Sequence, residues 1–428
     1  MSEPLIVALV FLVTLLMGVP IFVVLGVTAL VGLWLLDIPG SSLAQSSFVA
    51  LQPFPLLALP LFIFAGSIME RGHTATRLIN IAQGLMSSYK GNLGYVTVVA
   101  CAIFGAISGS GMATTAAVGS VTIPRMMAEG YSPRFASAVA ASAGALGAMI
   151  PPSNMMIIYG LVAGESIPRL FLAGVVPGLV LTIGLIITVW FMVRRDAPGT
   201  TEPFRWRPLV LALWEGKWAL GAPVLILGGI YSGIFTPTEA AGVAVFYALF
   251  VEVIVYRELG WAQFVGALRF TVLMTGILIL LAPTLTLGHV IALYDMPDLL
   301  MGLMALLGEN PWLFLIVVAI FYILIGTFMD SLAQIVIFTP VLLPIAVALG
   351  IDPILFGVFT IITAEVGFLT PPVGGNLYVA QRIGKVSLES ISIAVIPFFG
   401  AYIVGLVIFS LWPDLALWLP NLVYGPRL

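Results

Sequence analysis

Charge is what this sequence lacks most: Asp, Glu, Lys and Arg make up only 8% of its 428 residues, where a soluble domain carries roughly a quarter. So few charges cannot coat a water-facing globule. A hydrophobic share of 61% and a mean hydropathy of +1.17 point to lipid as the solvent. Cysteine occurs once, at Cys101, which excludes an intrachain disulfide and any cysteine-based metal cluster. The two histidines, His73 and His289, lie far apart and form no metal constellation; the first reads as a loop residue and the second as packed or interfacial. There is no basic block, and the net charge is −3, so nucleic acid is not an expected partner. No Gly-x-x-x-x-Gly-Lys-Ser/Thr stretch occurs, so this chain is not expected to hydrolyse ATP.

What is present is a series of long apolar runs. Residues 4–36, 38–69 and 91–124 contain no ionisable group other than tyrosine or cysteine, and 270–294 contains only His289 besides a tyrosine. Each is at least as long as the roughly 20 residues a helix needs to cross hydrocarbon. Met1-Ser2-Glu3-Pro4 lacks the positive flank of a secretory signal, so the first run is read as a membrane segment. The expected spans run from 5–36, with a bend or break at Gly18-Val19-Pro20, to 391–412; several are too short for a full crossing and could turn back. Loops are short, leaving no room for a soluble catalytic module. Glu70, Arg71, His73, Arg77 and Lys90 mark an interfacial segment. The interruption at 194–217 carries Arg194, Arg195, Arg205, Arg207 and Lys217, which the positive-inside tendency places in the cytoplasm. Parity returns Arg257-Glu258 to the same side and puts the acidic loop 294–311, with Asp295, Asp298 and Glu309, outside.

The chain also repeats itself. Pro124 and Pro344, Gly130 and Gly350, Pro133 and Pro353, Gly147 and Gly367, and the pairs Pro151-Pro152 and Pro371-Pro372 recur in step, each separated by 220 positions. Proline lacks an N–H and pushes its predecessor out of the α region, so each double proline breaks a helix and exposes carbonyls. In lipid such carbonyls need partners. Ser153-Asn154 beside the first break, and Thr370 with Asn376 beside the second, offer side-chain oxygens. Neutral hard oxygens of this kind suit Na+, and the helix ends created by the breaks can face a carboxylate.

Upstream of each break lies a small polar element between two apolar arms: Ser108-Gly109-Ser110-Gly111 between 93–107 and 112–128, and Asp330-Ser331 between 312–329 and 332–349. Each is either a re-entrant hairpin whose tip stops mid-membrane or two crossings joined by a short loop. Asp330 has no other charge near it from Glu309 to Asp352. A carboxylate so placed is costly unless it meets a cation or a proton, so it is assigned to cation coordination or support of that site, against an external-loop reading. Glu365, six residues before Pro371, is read as support. Glu239 in Thr236-Pro237-Thr238-Glu239 reads as a helix start capped by Thr236 or Thr238. Arg125, Arg134 and Arg382 sit where spans end and are read as interfacial.

At these residues the sequence resembles a known family, the large membrane subunit (dicarboxylate-transporter M type) of tripartite ATP-independent periplasmic (TRAP) transporters. The resemblance rests on Gly-Ser-Gly-Met-Ala-Thr-Thr-Ala-Ala-Val-Gly-Ser at 109–120, Ile-Pro-Pro-Ser at 150–153, Gly-Ile-Phe-Thr-Pro-Thr-Glu-Ala at 233–240, Thr-Pro-Val-Leu-Leu-Pro at 339–344, Gly-Ile-Asp-Pro at 350–353 and Thr-Pro-Pro-Val-Gly at 370–374. It implies an all-α polytopic membrane protein with an inverted repeat, two re-entrant helical hairpins, two broken helices and an elevator-type scaffold plus transport domain. The corresponding division is 1–92 and 194–311 as scaffold, 93–193 and 312–390 as the two transport repeats, and 391–428 as a C-terminal helix and tail.

The resemblance further implies a Na+-coupled importer of small organic anions in the bacterial inner membrane, with no organic cofactor. Its substrate would come from a periplasmic binding protein, and it would work with a small four-helix membrane subunit on a separate chain, in contact with membrane lipid. About two sodium sites are expected. Ser108, Gly109, Ser110, Pro151, Ser153 and Asn154 match the first, and Asp330, Thr370, Pro371, Gly374 and Asn376 the second. Ser153, Asn154, Gly375 and Asn376 are the expected substrate-facing residues. A stand-alone Na+- or H+-coupled symporter and an intramembrane enzyme remain the competing readings, although no clustered acid/base or metal set supports an enzyme.

Overall fold

The computed structural model describes residues 3–194, 203–295, 302 and 310–426, and every regular element among them is helical. Arg195, Asp298 and Glu309, used above to place loops, lie outside the described residues. The first apolar run is interrupted at Gly18-Val19-Pro20, as its sequence requires, giving α1 (Glu3–Leu16) and α2 (Ile21–Leu35). Next come α3 (Ser41–Ala50), α4 (Ala58–Arg71) and α5 (Thr74–Met86).

The first repeat follows with α6 (Asn92–Ser108), α7 (Gly111–Ala128), α8 (Pro133–Gly144), the single turn α9 (Leu146–Met149) and α10 (Asn154–Ala163). Then α11 (Ile167–Val193), α12 (Trp206–Glu215), α13 (Lys217–Tyr231) and α14 (Pro237–Leu249) lead to α15 (Trp261–Thr275) and α16 (Leu281–Leu293). The second repeat is α17 (Pro311–Gly326), α18 (Ser331–Ala348), α19 (Pro353–Gly367) and α20 (Gly375–Gly384), after which α21 (Leu388–Leu411) and α22 (Asp414–Tyr424) complete the described chain. Among the described residues six helices are long and apolar enough to cross a membrane, or up to eight if each bent pair is one span.

Five helices lie outside the expected spans, α3 and α5 among them. The polar stretch 194–217 is not only a loop, because Trp206–Glu215 forms α12, bent by 61° from α13. Gly375–Gly384 and Asp414–Tyr424 are helical although neither is apolar along its whole length. Amphipathic pieces of this length fold by packing one face, which a search for continuous apolar runs does not detect. The start of α14 follows its sequence closely: Thr236 is the cap, and a full capping box forms with Glu239.

The repeats are inverted. Near the start of the first broken helix Ser137 touches Gly384 at the end of the second; a Cβ on Gly384 would lie 1.9 Å from Ser137 Oγ. At the other end, the Tyr159 hydroxyl of α10 donates to the Pro353 carbonyl at the start of α19, at 2.6 Å. The two broken helices therefore run antiparallel side by side, which brings their interruptions together halfway along. The tips of α6–α7 and α17–α18 stop at these interruptions, so both arms are re-entrant hairpins.

Charge sorts by face. The Tyr256 hydroxyl donates to the Glu215 carbonyl at 3.0 Å, and Arg77 pairs with Glu258 through both guanidinium nitrogens, at 2.7 and 2.9 Å. The segments around 71–90, 205–217 and 256–258 thus share one face; parity pairs the last two. Arg125, Arg134, Arg382 and Lys385, at the ends of the first hairpin and of α20, join them. Asp37, Glu165, Asp352 and Asp414 fall at the other face, where Arg169 holds the Tyr424 and Gly425 carbonyls. The Arg77 contact holds Glu258 ionised, its carboxyl lying below the usual range because the guanidinium hydrogen-bonds it, while Glu258 raises Arg77 in turn.

Candidate ion and substrate site

The first hairpin turns where α6 ends at Ser108. Gly109 takes a left-handed conformation (φ 61°), and Ser110 caps α7 by accepting from the Ala113 N–H at 3.5 Å. The Gly109 carbonyl accepts from the Asn154 N–H at 3.1 Å, which docks the tip into the first break. Inside the tip, the Ser108 and Thr114 hydroxyls lie 2.8 Å apart. The break itself contains a cis Pro151-Pro152 bond. Ser153 is fully buried; it caps α10 through the Met156 N–H and donates to the Ala148 carbonyl, satisfying one of the groups the prolines release. Asn154 is 4% exposed, and its Oδ1 has no hydrogen-bond partner.

The second repeat solves the same problem with other residues. The Thr327 carbonyl beside the tip accepts from the Val373 N–H at 3.0 Å. Asp330 occupies the position equivalent to Ser110 and does the same local job: its Oδ1 caps α18 by accepting from the Leu332 N–H at 2.9 Å. Pro371-Pro372 is also cis. The Thr370 hydroxyl donates to the Val366 carbonyl at 2.9 Å, and Gly374 (φ 46°) precedes α20 in a left-handed conformation. Gly375 lies under the Phe368 ring. Glu365, 3% exposed, accepts from the Ser331 hydroxyl at 3.0 Å and from Asn376 Nδ2 at 3.2 Å. Asn376 is fully buried, and its Oδ1, like that of Asn154, has no partner.

These two half-sites share one cavity of about 200 Å³. Ser108, Gly109, Ser110 and Asn154 line it from the first repeat, and Asp330, Ser331 and Glu365 from the second. The absence of a side chain at Gly111 lets them meet: a Cβ there would lie 2.6 Å from Glu365 Oε2 and 3.1 Å from Asn376 Nδ2. Of the residues matched to the sodium and substrate sites, Ser108, Gly109, Ser110, Asn154 and Asp330 therefore reach the cavity, as does Glu365, read from sequence as support. Pro151, Ser153, Thr370, Pro371, Gly374, Gly375 and Asn376 sit in the two breaks behind it, with Asn376 against Gly111.

Sequence reasoning missed the opposite wall, which comes from α4 (Ile63, Ser67), α15 (Phe270, Leu273, Met274) and Ile277 beyond it. Apolar residues in a membrane helix look alike whether they face lipid or a cavity, so no local signal marks them. Among the described residues no three His, Cys, Asp or Glu side chains cluster in a way that could hold a metal ion. The oxygens on offer are hydroxyl, amide and carbonyl groups with the carboxyls of Asp330 and Glu365, a set suited to a hard cation rather than a transition metal.

The arrangement has known relatives. In backbone the chain is similar to the crystal structure of the YdaH transporter of Alcanivorax borkumensis, with a TM-score of 0.60 over 89% of this chain and 88% of that one, at 15% identity; this likeness concerns the fold alone. In sequence it is 39% identical to the isethionate TRAP transporter permease protein DctMQ of Oleidesulfovibrio alaskensis, over 94% of this chain but only 64% of that longer one. It is also 37% identical to the C4-dicarboxylate TRAP transporter large permease protein DctM of Vibrio cholerae, over 96% of both. Residues 8–415 match the family described as tripartite ATP-independent periplasmic transporter, DctM component. An inverted pair of hairpins and broken helices around one cavity, carried by a sequence with these relatives, makes this chain a member of the DctM family, the large permease of TRAP transporters.

Proposed function

We propose that this permease performs Na+-coupled uptake of a small organic anion across the bacterial inner membrane, receiving it from a periplasmic binding protein and working with a small membrane subunit on a separate chain. One observation carries the sodium assignment. Asn154 and Asn376 each bury an amide oxygen without a partner, one beside each double-proline break. A buried acceptor left unpaired costs stability, and one such acceptor beside each break fits two cation sites.

Ser108, Gly109, Ser110, Pro151, Ser153 and Asn154 would hold the first ion, and Asp330, Thr370, Pro371, Gly374 and Asn376 the second. Bound sodium would supply positive charge beside a cavity that no described Lys, Arg or His lines, and its gradient would supply the driving force. The protein's residues do the positioning. Ser153 and Thr370 satisfy carbonyls next to the breaks, Glu365 fixes Asn376 and Ser331, and the N-termini of α7 and α18 turn their dipoles toward the substrate. Of the four residues expected to face the substrate, Asn154 lines the cavity and is proposed to do so, whereas Ser153, Gly375 and Asn376 lie behind it and would act by holding the breaks.

Residues 93–193 and 312–390 are proposed to move together as the transport domain against a scaffold of 1–92 and 194–311 in an elevator cycle. The gathering of basic residues at one face supports placing that face in the cytoplasm. The test is uptake into sealed vesicles with the Na+ gradient imposed or collapsed, with and without binding protein, against a panel of carboxylates and isethionate. Asp330→Ala should lose sodium dependence while still inserting into the membrane. Full retention of that dependence would remove Asp330 from the site, and strong uptake by the isolated chain would remove the binding protein from the cycle.

A further inference from the structure

Among the described Lys, Arg and His residues, only Arg71 hydrogen-bonds a residue that lines the cavity: its Nε donates to Ser67 Oγ at 3.5 Å. Arg71 is the last residue of α4, at the basic face. A snorkelling arginine there would extend past the helix end toward water. Instead the side chain runs back along α4 to Ser67, one turn earlier, and lies against α15, where a Cβ on Gly266 would come within 2.8 Å of Nη1. Ser67 lines the cavity, and so does Phe270, one turn after Gly266. The guanidinium therefore stands between the two helices that form the wall, one turn beyond it toward the basic face.

We propose that Arg71 binds the charged group of the transported anion at the mouth of the cavity on the basic face. The inference rests on the transport reading above and adds to it the residue that meets a carboxylate or sulfonate there. With Nε bonded to Ser67, Nη1 and Nη2 make no hydrogen bond or ion pair with any described residue. Glu70, the neighbour in sequence, feels the charge of Arg71 without pairing to it. Arg77 on the same face differs: both of its terminal nitrogens are taken by Glu258, and its guanidinium lies 3.6 Å from the centre of the Tyr256 ring. A guanidinium edge presents paired N–H groups that match two oxygens of a carboxylate or sulfonate. Arg71 keeps that edge available in a half-buried place, where such a bond is stronger than in water. Ser67 and Arg71 lie one turn apart, roughly 6 Å along the helix. A shift of the transport domain by that distance toward the basic face would pass an anion from the level of Ser67 to that of Arg71.

The experiment is thermal protection of the purified full chain in nanodiscs by Na+ alone, and by Na+ with 2-hydroxyethanesulfonate or succinate. Arg71→Gln should leave protection by Na+ alone unchanged and weaken protection by both anions on the order of tenfold. Arg71→Lys, which keeps the charge but not the paired edge, should lose less. Gly266→Ala, whose methyl displaces the guanidinium, should weaken the anions in the same direction, and it decides the matter by the same criterion if Arg71→Gln does not fold. Arg207→Gln, at an exposed arginine of the same face, should bind both anions as the unaltered chain does. Unchanged anion protection in Arg71→Gln, or an equal loss in Arg207→Gln, would overturn this inference while leaving anion transport intact. Absence of protection of the unaltered chain by either anion would overturn both for these substrates.

Discussion

Gly326 lies so close to Gly367 that a Cβ on the first would come within 2.6 Å of the Cα of the second. The first repeat contains the same crossing, where a Cβ on Gly105 would come within 2.7 Å of Gly147 Cα. In each repeat the incoming hairpin arm therefore crosses its own broken helix backbone against backbone, one turn before the polar tip. These crossings set the depth at which the tips stop, and so the position of the cavity.

Gly326→Ala should accordingly destabilise the protein by about 1–3 kcal/mol, since an added methyl there meets backbone rather than a flexible side chain. Thermal melting of the purified chain measures it. An unchanged melting temperature would mean that the crossing yields and does not fix the tip.

At the ion sites the acceptor oxygen matters more than the volume of the side chain. Asn154→Ala should raise the Na+ concentration for half-maximal uptake on the order of tenfold, and Asn376→Ala should do likewise. Asn154→Asp, which keeps an oxygen in place, should be milder. Equal effects of Ala and Asp would argue that the acceptor oxygen is not what Asn154 contributes.

The Arg77–Glu258 pair gives a pH dependence of stability with a definite sign. Glu258 is held below the usual carboxyl range by Arg77. Its contribution is thus complete above the ordinary carboxyl range and is lost as pH falls through the depressed folded value. Melting temperature should drop over that acidic window in the unaltered protein. The pH step should shrink in Glu258→Gln, and a step of the same size would assign it to another carboxyl group.

Tyr159→Phe removes the hydroxyl that bonds the Pro353 carbonyl at 2.6 Å, where the end of one broken helix meets the start of the other. A loss of about 1 kcal/mol is expected, read by chemical or thermal unfolding. A larger loss in sodium-dependent uptake than in stability would mean that this contact also sets the alignment of the two breaks.

Much of the architecture was legible in the residues themselves. Proline without an N–H must break a helix, so Pro151-Pro152 and Pro371-Pro372 marked both interruptions, and their shared offset of 220 marked the repeat. Ser110 and Asp330, at that same offset, both proved to be helix caps, a local role that residue type already favours. Long uncharged runs required lipid, and scattered arginines foretold which segments share a face.

Tertiary structure alone decided the rest, because it depends on contacts between residues hundreds of positions apart. The inversion rests on Ser137 meeting Gly384 and on Tyr159 meeting Pro353. The merging of two half-sites into one cavity depends on Gly111 facing Glu365 and Asn376. The choice of Phe270 and Met274 as its wall follows from how α15 packs. Proline geometry and charge act on the chain where they stand, whereas the side of an apolar helix that meets the cavity is set only when the other helices have packed around it.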